Sequence, residues 1–149
     1  MILEGHSDKH IYKLLKQSLA AVKQQSQLGS LIRLFEIRLV SLSGYKPQID
    51  RCVVCKTISE NGIFRFSYIQ NGIVCKNCCN RVPTDIQFTT GTRNYIKKLM
   101  EVEIKSCGRI KIPKNQEGEI EKVTHRLVLS HLGREPKSYP FIKTMAQFI

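Results

Sequence analysis

Cys52-Val53-Val54-Cys55 and Cys75-Lys76-Asn77-Cys78 are two Cys-x-x-Cys pairs with 19 residues between them. Two intervening residues let one tight turn present both sulfurs to a single ion, and a hairpin in the spacer would carry the second turn back beside the first. Four thiolates then close a tetrahedron with no vacancy for water or substrate, which is the arrangement of one structural zinc ion and not of a catalytic one. The competing reading is four free thiols. Cys79 directly follows Cys78 and would replace it as ligand with a Cys-x-x-x-Cys spacing, so the fourth position stays open between the two. Arg51, Lys56, Lys76 and Arg81 flank the pairs and would offset the negative charge of such a site.

The spacer carries two turn signals, Asn61-Gly62 and Asn71-Gly72. Between them Ile63, Phe64, Phe66, Tyr68 and Ile69 are β-branched or aromatic and predict a strand, with Ile73-Val74 as a short partner. Pro47 closes what precedes, so residues 48–83 read as a zinc-binding hairpin insertion. A piece this small cannot fold on its own apolar burial, the condition under which a metal is usually needed.

Outward from the insertion the apolar spacing becomes helical. Residues 1–47 form the first part of a helical core. Asp8 to Gln27 carries Ile11, Leu14, Leu15, Leu19 and Val22 on one side, Gly29 breaks the pattern, and Ser30 caps a second helix from Leu31 to Ser43 that Gly44 ends. Residues 84–149 form the second part. Thr92 is a candidate cap for a helix bearing Tyr95, Ile96, Leu99 and Met100, and Gly108, Pro113 and Gly118 mark a loop. A helix from Glu119 to His131 then presents Ile120, Val123, Leu127 and Val128, with Gly133 placed for a left-handed cap. Pro140 to Ile149 has Phe141, Ile142, Met145 and Phe148 at helical spacing. The expected fold is mainly α: a small helical bundle with an inserted four-cysteine zinc-binding β-hairpin subdomain.

The 149 residues include 24 Lys and Arg against 12 Asp and Glu, a formal charge of +12 that suits a polyanion such as nucleic acid. A basic protein with no acidic partner is the blander alternative. Arg93, Lys97 and Lys98, then Lys105, Arg109, Lys111 and Lys114, form a cluster that would neutralise phosphates or simply be a solvated helix face. Arg33 and Arg38 stand in an otherwise apolar helix, either as anchors beside a groove or paired internally with Glu36 and another carboxylate. Phe64, Phe66 and Tyr68 would stack on unpaired bases or pack the hairpin against the helices.

The start of the chain lacks the pattern of a secretory signal, and Arg33, Glu36 and Arg38 interrupt the longest apolar stretch, so a cytoplasmic location without membrane contact is expected. In that reducing compartment metal ligands or free thiols are favoured over disulfides. No enzyme signature stands out. Cys107 is alone and reads as an inert thiol, and there is no phosphate loop, Gly-x-Ser-x-Gly elbow, His-Glu-x-x-His helix or zinc-deaminase pattern. No small-molecule substrate is implied.

The run Phe35-Glu36-Ile37-Arg38-Leu39, then Gly44-Tyr45-Lys46-Pro47, then the first cysteine pair, resembles the RecO family of recombination mediators. Asn71-Gly72-Ile73-Val74 before the second pair is similar to the family's approach to its own second pair. His131-Leu132-Gly133-Arg134-Glu135-Pro136-Lys137-Ser138 resembles the family's tail motif, although Tyr139 and Pro140 stand where basic residues are usual. The resemblance covers about Asp8 to Phe141 and corresponds to the carboxy-terminal part of such a protein; the OB-fold that usually precedes it is not expected here. It implies a non-enzymatic adaptor in RecF-pathway repair that anneals strands and helps load RecA, working with RecR and the acidic carboxy-terminal tail of the single-stranded-DNA-binding protein SSB. Single- and double-stranded DNA are the implied nucleic acids, and Arg134 and Lys137 join the candidate contacts on this ground. A zinc-stabilised protein-interaction module without direct DNA contact is the alternative.

Overall fold

Helix α1 (Glu4–Val22) follows the one-sided apolar spacing of its sequence, and α2 (Leu28–Val40) is the central element, touching α1, both later helices and the 3-10 turn. The computed structural model describes residues 4–24, 28–58, 62–134, 137–138, 140–141 and 144. Three strands follow: β1 (Ile63–Ser67), β2 (Gly72–Val74) and β3 (Ile86–Thr89). Then come α3 (Thr90–Glu101), a 3-10 turn (Ile104–Arg109) and α4 (Lys114–Leu132). The mainly helical class expected from the sequence is the one found. Among the described residues no helix is long and apolar enough to cross a membrane.

Several expected boundaries are corrected. Gly29 and Ser30 lie inside α2, which starts at Leu28, because one glycine in a first turn costs only about 1 kcal/mol. Burial of Leu31, Leu34 and Ile37 outweighs that cost. Gly118 likewise sits within α4, which begins five residues before the expected Glu119, with Pro113 at the cap position and Glu117 in the first turn. Thr89 caps α3 where Thr92 was expected: the Thr92 N–H donates to Thr89 Oγ1 at 3.4 Å. The helix through Ser43 ends at Val40 and passes into a π-turn over Ser41–Tyr45, in which Gly44 takes φ 90°. Gly133 adopts φ 71° and donates to Leu129 O, the left-handed cap that was expected. Of the proposed helix over 140–149 only residues 140, 141 and 144 are described, and these are helical, with Thr144 Oγ1 donating to Pro140 O at 3.0 Å; Asn61 of the first turn signal, and Gln25 to Gln27 at the end of the first helix, lie outside the described residues.

The expected hairpin is a three-stranded antiparallel sheet of order β2-β1-β3. Strand β3 lies beyond residue 83 and pairs Phe88 opposite Phe64. Phe64, Phe66 and Phe88 are buried together with Leu34, Ile37, Ile96, Leu99 and Ile120 in one cluster. The sheet therefore shares the helical core, so apolar burial supports it independently of a metal. Of the two roles open to its aromatic residues, Phe64 and Phe66 take packing. Tyr68 is half-buried, edge-on to Phe66 at 5.2 Å, with Arg126 above its ring.

Candidate metal centre

The backbone fixes both cysteine turns to β2. Gln48 and Val53 lie alongside that strand: Gln48 N–H donates to Asn71 O, Ile73 N–H to Gln48 O, and Val53 N–H to Ile73 O, all at 2.9–3.0 Å. Gly72 permits this close approach, since a Cβ there would collide with Val53 Cγ1 and come within 2.8 Å of Gln48 O. Asn71 takes the left-handed region at φ 52°, and its Nδ2 donates to Tyr45 O at 2.9 Å, tying the turn to the end of the π-turn.

The first turn closes with Lys56 N–H on Cys52 O, Lys56 itself at φ 63°; the second closes with Cys78 N–H on Cys75 O and Arg81 N–H on Cys78 O. The sulfurs of Cys52, Cys55, Cys75 and Cys78 all lie within 4.8 Å of one another, those of Cys55 and Cys75 at 3.6 Å. Tetrahedral sulfurs on an ion bonded at about 2.3 Å stand about 3.8 Å apart, so the arrangement fits a thiophilic metal ion. No disulfide joins these four. Cys79 lies outside the cluster, its Sγ donating to Lys76 O at 3.0 Å, so the four sulfurs that lie together are those of the two Cys-x-x-Cys pairs.

The four thiols differ in environment. Burial pushes Cys52 up, but hydrogen bonds from the backbone of Cys55, Cys75 and Val54 outweigh it and hold the thiol below its usual range. The Thr57 hydroxyl, 3.2 Å from Cys55 Sγ, and the Thr57 backbone lower Cys55 to about 6. Burial beside the other three sulfurs pushes Cys78 up to about 12. Thr57 was not singled out from the sequence, where a hydroxyl two residues past a cysteine is the only cue. A bound ion would supply a cross-link between the turns. Around it lies a separate small cluster of Cys52, Val74 and Cys78 with Val53, Val54 and Val82 against it.

The candidate basic residues divide by environment. Arg33 is buried, paired with Glu36 Oε2 at 3.0 Å and reaching Glu121 O and Thr124 Oγ1; internal pairing is the role its geometry realises. Arg38 is half-buried, and its Nη1 donates to Met100 O at 2.6 Å. Arg93 Nε donates to Ile49 O at 2.8 Å with its guanidinium over Phe64, and Lys97 pairs with Asp50 at 2.8 Å. Those two side chains fasten α3 to the approach of the first cysteine turn. Lys98, Lys105, Arg109, Lys111, Arg134 and Lys137 are exposed. Glu135 and Pro136, and the side chain of Cys107, lie outside the described residues.

Two cysteine turns seated on a sheet that is itself built into a helical core define a helical protein with a cluster of four cysteines close enough to hold one metal ion. The model of the family described as "Recombination protein O C terminal" matches residues 1–140, and the chain belongs to that family. Among curated relatives, it is 32% identical to "DNA repair protein RecO" of Thermoanaerobacter sp. (strain X514) over 144 residues, 95% of this chain and 57% of the relative. It is 24% identical to the protein of that name from Bacillus pumilus (strain SAFR-032) over 142 residues, 95% of this chain and 55% of the relative. The chain spans about half the length of the curated relatives it matches. No solved structure matches it.

Proposed function

We propose that this chain is a DNA-binding repair adaptor of RecO type, with one structural zinc ion held by Cys52, Cys55, Cys75 and Cys78. Membership of the recombination protein O family carries the reading, because the curated relatives are DNA repair proteins. The charge of +12 supports a polyanionic partner, single- or double-stranded DNA. Exposed Lys98, Arg109, Lys111, Arg134 and Lys137 are the candidate phosphate contacts, with half-buried Arg38 beside them; Arg93 and Lys97 also hold the fold together. The zinc assignment rests on a closed set of four sulfurs, which suits that ion and leaves no position for substrate. The role is that of a cytoplasmic, bacterial adaptor without turnover chemistry, acting in RecF-pathway recombination with RecR to load RecA.

A groove of about 420 Å³ between α1, α2 and α4 supports the SSB tail as a further partner, since Leu15, Leu19, Phe35, Val128 and Leu132 line it and several of them are exposed. The same groove favours the second reading, a protein-interaction module that does not touch DNA. A salt titration of binding to a single-stranded oligonucleotide separates them. Phosphate contacts require affinity to fall steeply with salt, and absence of binding at low salt would leave only the interaction module.

A further inference from the structure

We propose that the concave pocket between α1, the end of α2 and the 3-10 turn is a binding site for a phosphate group of DNA. It is about 230 Å³ in volume and is distinct from both the metal centre and the apolar groove. His10, Lys13 and Gln17 enter it from α1, spaced three and four residues apart and hence on one helix face. Arg38 enters from α2, Glu103 from just before the 3-10 turn and Lys105 from within it. Three separate elements thus converge their donors on one hollow.

Arg38 supplies the second observation. One arm of its guanidinium is held by Met100 O at 2.6 Å, which fixes the plane of the group, while Nε is buried without a hydrogen-bond partner among the described residues. Nε is closed to solvent, so a ligand entering the pocket would meet the outer donors of the guanidinium and not Nε. A guanidinium anchored on one side keeps its remaining donors aligned for an oxyanion, and the fork suits phosphate better than a point charge does.

Charge selects the ligand class. Lys13, Arg38 and Lys105 against Glu103 leave an excess of two positive charges in the pocket. A terminal phosphate carries about −1.5 to −2 at neutral pH and an internal phosphodiester carries one negative charge, so either is complementary. The pocket lacks the broad apolar floor that a hydrophobic acidic peptide needs, which the groove on the α1, α2 and α4 face does provide.

The inference rests on the DNA-binding reading above and is tested so that the two can fail separately. Binding of a fluorescent oligothymidylate with a 5′-phosphate, or with a 5′-hydroxyl, is measured for the parent chain and for two double variants. Lys13→Gln with Lys105→Gln alters the pocket; Lys16→Gln, in α1, with Lys23→Gln, just past its end, removes the same charge from positions that do not line it, and all four lysines are exposed. The pocket pair is expected to weaken binding about tenfold and to lower the salt slope by about 0.7, the share of one phosphate on a single strand, with the control pair changing affinity less than about twofold. A larger loss for the 5′-phosphorylated strand assigns the site to a chain end, and equal losses assign it to an internal phosphodiester. Equal effects of the two variant pairs, or none from either, would overturn the proposal. If the parent binds no oligonucleotide the DNA reading is lost, and inorganic phosphate alone then decides the pocket. It should shift the amide resonances of Gln17 and Lys105 in the parent and not that of Gln17 in the pocket variant. An acidic peptide that moves these resonances where inorganic phosphate does not would overturn the phosphate assignment.

Discussion

The backbone N–H of Cys75 points at the sulfur of Cys52, 3.3 Å away, so the second cysteine turn stabilises the thiolate of the first before any ion is bound. Such preorganisation needs the turns to be placed by something other than metal. Here they are placed by the ladder of Gln48 and Val53 on β2, while β1 and β3 take their stability from Phe64, Phe66 and Phe88 in the helical core. Removing the ion should therefore loosen the turns and leave the helical body folded. Chelation, or Cys52→Ser, is expected to abolish metal content and retain the far-UV helical signal. With free metal at a thousand times Kd the lost stabilisation is about 4 kcal/mol, which lowers the melting midpoint by about 10 °C. Collapse of the helical signal on chelation would contradict the shared core, and an unchanged midpoint would show the metal to be idle.

Metal uptake should release fewer than four protons per chain at pH 7. Cys55, lowered to about 6 beside Thr57, is already largely ionised there, whereas Cys78, raised to about 12 by burial, gives up its proton only to the metal. Calorimetric titration in two buffers of different ionisation enthalpy counts the protons. Affinity should fall by about a further factor of ten per pH unit once the pH drops below about 6, where Cys55 regains its proton. Thr57→Val raises that break point; an unaltered profile in the variant would remove the hydroxyl from the account.

Gly72→Ala tests the seating of the first turn. Its φ is unremarkable, so the demand for glycine comes from space: the added methyl meets Val53 Cγ1 and the Gln48 carbonyl, and backbone cannot give way as a flexible side-chain tip can. The expected cost is about 1–3 kcal/mol with weaker metal binding, measured by urea unfolding and by competition with a chromophoric chelator. Gly118→Ala, where a Cβ meets nothing within 4 Å, serves as the control and should be neutral or stabilising.

Much of this was legible in the sequence, for identifiable reasons. Cysteine spacing reports on the ligands directly, because a two-residue turn leaves little freedom in where both sulfurs point. Spacing leaves Cys78 and Cys79 as alternatives, and it cannot reveal that the Cys79 side chain turns toward Lys76 O, away from the other sulfurs. Strand β3 was missed because its four residues bury a single side chain, Phe88, and one buried position makes no pattern. Gly29 and Gly118 carry the local signal of a break, and only the burial of the residues that follow each keeps them helical. The pairing of Arg33 with Glu36, three residues on, was one of two roles open in the sequence, whereas its contacts with Thr124 and Glu121, about ninety residues away, leave no local signal.

That distant pairing gives the last prediction. Glu36 lies between α2 and α4, facing Arg33 at 3.0 Å, the Thr124 hydroxyl at 2.8 Å and His125 Nδ1 at 3.6 Å. Burial nonetheless dominates and raises its carboxyl above the ordinary 4.5, with Arg33, Thr124 and His125 only partly compensating. A carboxyl whose folded value is raised contributes stability that is fully present below its unfolded value and is lost as pH rises through the folded one. Relative to Glu36→Gln, which cannot ionise, the parent should therefore lose stability as pH climbs from 4 toward 8. At pH 7 the Gln variant leaves Arg33 without its counter-charge but keeps an oxygen that accepts from Thr124 and Arg33, so it should cost about 1–2 kcal/mol. Arg33→Met strands the carboxylate instead and should cost about 3–5 kcal/mol at pH 7, less at pH 4, where Glu36 accepts a proton. Urea unfolding of the three proteins at both pH values decides it. Equal losses in the two variants at neutral pH would mean that the ion pair outweighs burial, reversing the sign argued for Glu36.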